Sequence, residues 1–444
     1  MNRPLSLQIK LILSWIIYAP IICTTYVAAW LDRALGLSVG FPRDVEMLIE
    51  RQSWLLHMLS ENGILPADAE IRSCEVTPLN QSIIFRSNAG IITITYFRKG
   101  EIMTLKCFAK FAPTMGSVWN RTIFNLQLNH IKEGWFNQYF VNQDKLPAPR
   151  VYLSRISEIT GNLCLITEHM GDDIEYRECG YVSLPQEHLD LALDGLATLH
   201  ARYWGDTSDR MKKVTHIDDM TVHLFDSIVS GSWSIPARKV LVRSWCLMNK
   251  PQTVLHGDSR IGNMMFPAAP DRGRFVLIDW QAVRNGTAAF DLAYFLILSL
   301  ISTHREQVEQ TSIDTYYRLL IAKGVTGYTR EQLDEDYKHA CLCTLVLLSL
   351  PLLSGEASVE GLGAQIFAYG MGVWRERLLI RFRDFDYAWM ADRYSISEQE
   401  SRAAVTEMLT VIEKRLSATI KASGTNETIP EILRRFNPDG EFGI

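Results

Sequence analysis

Apolar positions in this chain follow two periods, and the switches between them divide it into parts. Arg43 to Gly63 has helical spacing, with Trp54, Leu55, Met58 and Leu59 on one face. β-branched and aromatic runs follow. Ile91 to Phe97 predicts a strand, Phe97 to Glu101 a turn, and Leu105 to Phe111 a second strand. A helical segment is expected around Thr122 to Tyr139, and a further strand from Leu163 to Met170. Beyond these the pattern is mostly helical. Leu189, Leu193, Leu196, Leu199 and Tyr203 recur on one face, and Leu292 to Ile301 reads as a buried helix. Cys341 to Leu353 is apolar but contains Pro351 and is too short to span a bilayer comfortably, so it reads as core.

Two short apolar runs interrupt the helical half. Met264-Met265-Phe266 predicts a strand, Pro267 to Gly273 is rich in turn formers, and Phe275 to Ile278 predicts a second strand ending at Asp279. Paired as a hairpin, these runs bring Asn263 and Asp279 to the same open end, because one residue enters the first strand and the other leaves the second. Asp258 lies on the loop that feeds that end. An amide and a carboxylate side by side, with a second carboxylate close by, suit Mg²⁺, which prefers hard oxygen ligands and leaves most positions to phosphate and water. The other carboxylate is then available to accept the proton of an attacking hydroxyl. The bland alternative is a buried hairpin with capping carboxylates.

The motif His256-Gly257-Asp258 followed by Asn263, then a strand and Ile278-Asp279-Trp280-Gln281, resembles the aminoglycoside phosphotransferase and choline kinase superfamily. With Asp291-Leu292-Ala293-Tyr294-Phe295 after it, the stretch is most similar to the ecdysteroid-kinase-like (CHK kinase-like) branch. The resemblance covers roughly residues 45–330. It implies an α+β, protein-kinase-like two-lobe fold with a small β-rich N-lobe and a larger, mostly helical C-lobe. It also implies an ATP- and Mg²⁺-dependent phosphotransferase acting on a hydroxyl of a small molecule. The matching positions are Asp258 as catalytic base, Asn263 and Asp279 as magnesium ligands, and His256 and Asp291 as structural supports of the loop. Lys110 matches the strand lysine that holds nucleotide phosphates, with Lys106 as its rival, and Glu133 matches the helix glutamate that braces it. Glu168-His169-Met170 resembles the hinge that holds adenine, so Glu168 and Met170 are expected at the nucleotide. Leu199-His200-Ala201-Arg202-Tyr203-Trp204 resembles a family helix in which His200 reads as a core histidine. One departure stands out. The phosphate-covering loop should be rich in glycine, yet the candidate stretch, Thr77 to Ser82, has none. A non-catalytic nucleotide- or ligand-binding protein on the same fold, attached to a membrane or not, therefore remains the alternative.

The domain reading is an apolar segment at 1–42, a nucleotide-binding N-lobe at 43–170, a helical C-lobe with the catalytic loop and acceptor site at 171–422, and a loose tail at 423–444. Leu11 to Leu31 carries no charge and as a helix would span about 31 Å, near the thickness of a hydrocarbon core. Three readings fit it: a transmembrane anchor, a signal peptide, or a helix packed on the domain. Arg3 and Lys10 before it would send the body across a membrane. A magnesium-ATP enzyme belongs on the cytosolic side, and the expected location is cytoplasmic, with membrane association through 11–31 left open.

Composition narrows the classes. The 444 residues can hold two or three core-forming units, and 47% apolar against 21% charged content is that of a globular protein. A formal charge of −5 excludes the basic domain that nucleic-acid binding would want. The eight cysteines are scattered without a CxxC pair, which argues for free thiols rather than a zinc site. The chain has no P-loop and no HExxH, and Gly257 to Gly262 is one residue too long for a nucleophile elbow. The expected partner is a small-molecule alcohol, with a neutral or apolar, sterol- or lipid-like body favoured by the tryptophans of the helical half.

Overall fold

The computed structural model describes residues 19–20, 23–28, 30–31, 40–79, 88–112, 129–158, 160–171, 174–176, 184–211, 233–248, 252–269, 273–349, 362–425 and 427–436. It divides into two compact units. The first holds residues 1–173 with 217–224 and 279–283, and the second holds the remainder.

The first unit is built on a five-stranded antiparallel sheet of order β1-β2-β3-β5-β4. The strands are β1 (Glu70–Pro78), β2 (Asn88–Arg98), β3 (Glu101–Phe111), β4 (Val151–Ile156) and β5 (Leu163–Glu168). Strict alternation along β2 buries Ile92 and Ile94 on one face. The β2–β3 hairpin closes through Lys99 and Gly100, both at positive φ, which matches the right-handed twist of the flanking strands. The expected helix at 43–63 is two helices, α1 (Val45–Glu50) and α2 (Gln52–Glu61). Asp44 caps α1, and Arg51 leaves helical geometry at φ −113°, ψ 39°. The break lets each helix present its own stripe, Val45 and Leu48 from α1 and Leu55 and Leu59 from α2, to the sheet core.

Helix α3 (Asn129–Phe136) continues into a π-helical turn at Asn137–Val141. The buried Asn137 side chain donates to the Glu133 carbonyl at 2.9 Å, competing with the backbone ladder at that point and accounting for the widened turn. The expected segment Thr122 to Tyr139 is helical from Asn129. Its earlier part, like positions 80–82 of the glycine-free stretch, lies outside the described residues.

The second unit is mostly helical. Its β-structure is a three-stranded sheet, β6 (Ile174–Tyr176), β8 (Met264–Pro267) and β9 (Val276–Leu277), and a two-stranded ribbon of β7 (Thr253–Leu255) with β10 (Arg284–Gly286). The helices include α4 (Gln186–Arg202), α5 (Ile235–Met248), α6 (Ala289–Ser299), α7 (Ser302–Ala322), α8 (Arg330–Ser349), α9 (Leu362–Arg383), α10 (Tyr387–Tyr394), α11 (Glu398–Ala422) and α12 (Ile429–Phe436). α6 is buried along its whole length, as its predominantly apolar sequence demands, and it carries Asp291 and Ser299 into the interior with it. α8 buries the run from Ala340 to Ser349, so the described part of the apolar stretch, Cys341 to Ser349, is core, and 350–353 lie outside the described residues. The expected α+β class, with a β-rich amino-terminal region and a larger, mostly helical region, is the one observed.

The transmembrane anchor needs correction. No helix among the described residues is long and apolar enough to cross a membrane. Within 11–31, helical geometry is described only for the short pieces 19–20, 23–28 and 30–31, and the rest lies outside the described residues.

Candidate functional site

In the first unit, three charged side chains converge. Lys110 lies near the end of β3, where the alternation turns its side chain inward. Its ammonium donates to Glu133 Oε1 and to Asp279 Oδ1, each at 2.7 Å. The Lys110 side chain is 10% exposed and that of Glu133 only 1%. Lys106, the rival, is exposed. Glu133 projects from α3 and also accepts the Trp280 backbone N–H. The Trp280 ring lies 4.6 Å from Phe136, one turn of α3 away from Glu133, so the Asp279–Ala282 turn is held to α3 by both a polar and an aromatic contact. Asp279 itself sits at φ 67°, ψ 66°, a left-handed conformation that a residue with a Cβ adopts only when its surroundings enforce it.

The electrostatics of the triad follow from burial. Desolvation would strip the proton from Lys110, but two adjoining carboxylates outweigh it and hold the ammonium above its ordinary value. Burial pushes the Glu133 carboxyl up, to about 7, against the pull of Lys110 and with the help of the Asp279 charge. One cation shared between two carboxylates satisfies neither fully, and the more buried carboxylate takes the penalty. Lys110 therefore stays charged, and Glu133 is pushed towards protonation by its burial.

In the second unit the loop from His256 to Asn263 is anchored by α6. Asp291, fully buried in the first turn of α6, accepts the His256 backbone N–H at 2.6 Å and the Gly257 N–H at 2.9 Å. The His200 ring, from α4, lies 3.1 Å from the same carboxylate, and its other nitrogen lies 2.5 Å from the Tyr316 hydroxyl. Ser259 donates to the Asp291 carbonyl at 2.8 Å, and Ser299, at the far end of α6, accepts the Ile261 N–H at 2.9 Å. Burial raises the Asp291 carboxyl. The His200 hydrogen bond, the His200 and His256 rings and the Gly257 amide together outweigh that and hold it below the usual value. Gly257, at φ 81°, makes the turn that lets two successive amides face one carboxylate.

That turn presents Asp258. Asn263 Nδ2 donates to the Asp258 carbonyl at 2.7 Å and to its Oδ2 at 2.8 Å. Two oxygen acceptors fix the amide orientation and direct the Asn263 carbonyl oxygen the other way. Arg260 Nε lies 3.4 Å from Asp258 Oδ1, and the Tyr294 hydroxyl is hydrogen-bonded to the same carboxylate. The His256 ring accepts the Asp258 N–H at 3.4 Å and donates to the Ile278 carbonyl at 2.9 Å, a single tautomer serving both. β8 and β9 pair Met264 with Leu277, and Ile278 donates to the Asn263 carbonyl at 3.0 Å. The hairpin read from the sequence exists, and the chain runs from Ile278 directly into Asp279.

Glu168 and Met170, expected at a nucleotide hinge, are placed as follows. Glu168 ends β5, pairs with Cys107 of β3 and uses its side chain to accept the Arg150 N–H at 2.7 Å. Met170 follows it, half-buried, outside any strand. The residues that sequence reasoning missed are those that finish the site: Ser259, Arg260, Tyr294, Ser299 and Tyr316. Tyr294 had a signal, because it lies one helical turn after Asp291 in a helix packed on the loop. Ser299 and Tyr316 had none, since each serves the loop through a contact remote in sequence.

Residues 241–324, from within α5 through the loop and α6 to the end of α7, match the model of the ecdysteroid kinase-like family. That match spans 84 of the 444 residues and is a local similarity to the family, centred on the loop and α6. No curated protein matches. Among solved structures the chain is similar to the GDP complex of wild-type aminoglycoside 2'-phosphotransferase-IIIa, at 12% identity and a TM-score of 0.40, covering 83% of this chain and 99% of that one. It is similar also to choline kinase LicA from Streptococcus pneumoniae, at 15% identity and a TM-score of 0.37, covering 80% and 99%. A choline/ethanolamine kinase family protein from Mesorhizobium loti matches at 10% identity and a TM-score of 0.33, covering 85% and 99%.

Proposed function

We propose that this protein transfers the γ-phosphoryl group of ATP to a hydroxyl of a small molecule. The observation that carries the reading is the loop itself. Asp258 is presented by a buried scaffold anchored on Asp291, with Asn263 clasping it and Asp279 following the paired strand. Asp258 takes the hydroxyl proton. The hydroxyl oxygen forms a bond to the γ-phosphorus, the bond from that phosphorus to the bridging oxygen breaks, and its electron pair leaves with ADP. Lys110, braced by Glu133, holds phosphate oxygens. The backbone around Glu168 and Met170 receives the adenine.

The expected ligands, Asp279 with its carboxylate and Asn263 with its amide oxygen, are each of the hard-oxygen kind that Mg²⁺ prefers. Mg²⁺ there would neutralise charge on the phosphates. The ion pair between Asp279 and Lys110 supports the reading, since it puts the expected phosphate-binding cation beside an expected metal ligand.

General-base assistance is worth roughly 10² to 10⁴ in rate. Asp258→Asn should therefore retain nucleotide binding and lose most ADP release with a broad alcohol panel; undiminished release removes Asp258 from this role. Mg-ATP should raise the melting temperature of wild type and do so far less in Asp279→Ala. No response in wild type would favour the non-catalytic reading, which the glycine-free stretch at Thr77 to Ser82 keeps in play.

A further inference from the structure

We infer that Arg260 sets the charge of the acceptor this site admits, excluding cationic amino alcohols in favour of neutral or acidic alcohols. The inference deepens the phosphotransferase reading and rests on it. Arg260 is two residues after Asp258 and three before Asn263, so the loop itself carries it between the proton acceptor and the amide that clasps it. Its Nε is 3.4 Å from Asp258 Oδ1, and its side chain is 24% exposed. It is neither locked in the core nor fully solvated, and its charge reaches whatever approaches Asp258.

The seat of this guanidinium is built into the backbone. A Cβ on Gly262 would collide with Arg260 Nη1, so the missing side chain is what lets the guanidinium lie against the loop. A second guanidinium, that of Arg284, is within electrostatic reach of Asp258 and Asp291 and lies over the Phe290 ring at 4.7 Å. The Asp258 carboxylate is engaged from three sides, by the Asn263 amide, the Arg260 guanidinium and the Tyr294 hydroxyl. With these donors around it, the carboxylate cannot act as an exposed counterion for an ammonium group, while Arg260 repels one. An acceptor with an uncharged or acidic body meets no such barrier. Arginine keeps its charge throughout the working range, so the discrimination does not depend on pH.

The test uses the full chain with ATP and three probes of similar size: choline, dimethylbutanol as its uncharged carbon isostere, and hydroxybutyrate. The expected kcat/KM for choline in wild type is about tenfold or more below that for dimethylbutanol, narrowing as salt screens the charge. Arg260→Gln should bring the two together, and Arg260→Glu should reverse their order and disfavour hydroxybutyrate. Gly262→Ala, which displaces the guanidinium without removing it, should move the ratio in the same direction as Arg260→Gln. A merely structural role would lower all three rates together and leave their order unchanged. An order that does not respond to residue 260, or equal rates on all three probes, including no rate on any, overturns the inference. Asp258→Asn separates the two levels. Loss of turnover there with an unresponsive order sinks only the role of Arg260, whereas full turnover in Asp258→Asn sinks the phosphotransferase reading itself.

Discussion

Lys110 stands at the same distance, 2.7 Å, from Glu133 on α3 and from Asp279 just beyond β9, so one ammonium reaches a partner 23 positions away and another 169 positions away in the chain. Lys110→Met removes the cation and leaves Glu133, 1% exposed, beside Asp279 with no compensating charge. Breaking a buried pair by removing one partner costs about 3–5 kcal/mol. Chemical denaturation should show a loss of that order. Lys110→Met combined with Glu133→Gln should lose clearly less than the two single losses added, because the stranded charge is gone. Strict additivity would mean that the contact carries no coupling.

The same triad gives stability a definite pH dependence. The Glu133 carboxyl is raised in the folded protein to about 7, from an ordinary value of 4.5. A group whose folded value is raised contributes stability that is complete below its unfolded value and is lost as pH rises through the folded one. Between about pH 4.5 and 7, Glu133 therefore makes the protein less stable as pH increases. Glu133→Gln removes the proton uptake. Melting temperatures measured from pH 5 to 8 should fall relative to the variant across that window, and parallel curves would show that Glu133 does not titrate there.

Asp291 predicts the opposite sign. Its carboxyl is held below the ordinary value, so its contribution is present above the unfolded value of about 3.8 and is lost as pH falls through the folded one. Asp291→Asn places an amide NH₂ where two backbone N–H groups and His200 now converge, leaving at least one buried donor unanswered. The expected cost is about 1–3 kcal/mol for one such group, and more if the loop gives way. Limited proteolysis should then cut within 254–263 while sparing α4. Unchanged stability and cleavage would remove Asp291 from its anchoring role.

Much of this was legible in the sequence, for identifiable reasons. The β8–β9 hairpin announced itself because apolar runs flank a turn-rich segment, and Met264 does pair with Leu277. Alternation could not separate Lys110 from Lys106, which share one face of β3; only the apolar neighbours Phe108, Ala109 and Phe111 favoured Lys110, which is buried where Lys106 is exposed. The break at Arg51 was illegible, because the residues on both sides keep helical spacing and only packing decides that the stripe must shift. The π turn after Phe136 was hidden for a similar reason: nothing in Asn137 foretells that its side chain will reach the Glu133 carbonyl. The donors around Asp258 were missed because Arg260 and Tyr294 look like an ordinary loop residue and an ordinary helix aromatic until the chain folds them onto one carboxylate. The apolar run at 11–31 shows the limit of composition, since absence of charge alone did not establish a membrane span.

Gly134 follows Glu133 directly, and its lack of a side chain fixes how closely α3 approaches the sheet. A Cβ built there would collide with Ile156 Cγ2 of β4 and stand 3.0 Å from Leu163 Cδ1 of β5. Ser154 also donates to the Gly134 carbonyl at 2.9 Å, so the helix cannot retreat without losing a buried hydrogen bond. Gly134→Ala brings some helix propensity in its favour, about 1 kcal/mol, against overpacking that costs about 1–3 kcal/mol and more where backbone must move. The clash should win, because the obstructing methyl belongs to a β-branched side chain with little rotamer freedom, at the end of β4. Since Glu133 is the neighbouring residue, the displacement should also loosen its hold on Lys110 and weaken Mg-ATP binding. Ile156→Ala deletes the obstructing methyl, and in that background Gly134→Ala should recover most of its stability loss and its nucleotide response. If Gly134→Ala is neutral on its own, or if Ile156→Ala gives no relief, the close packing of α3 on β4 is not what sets the position of Glu133.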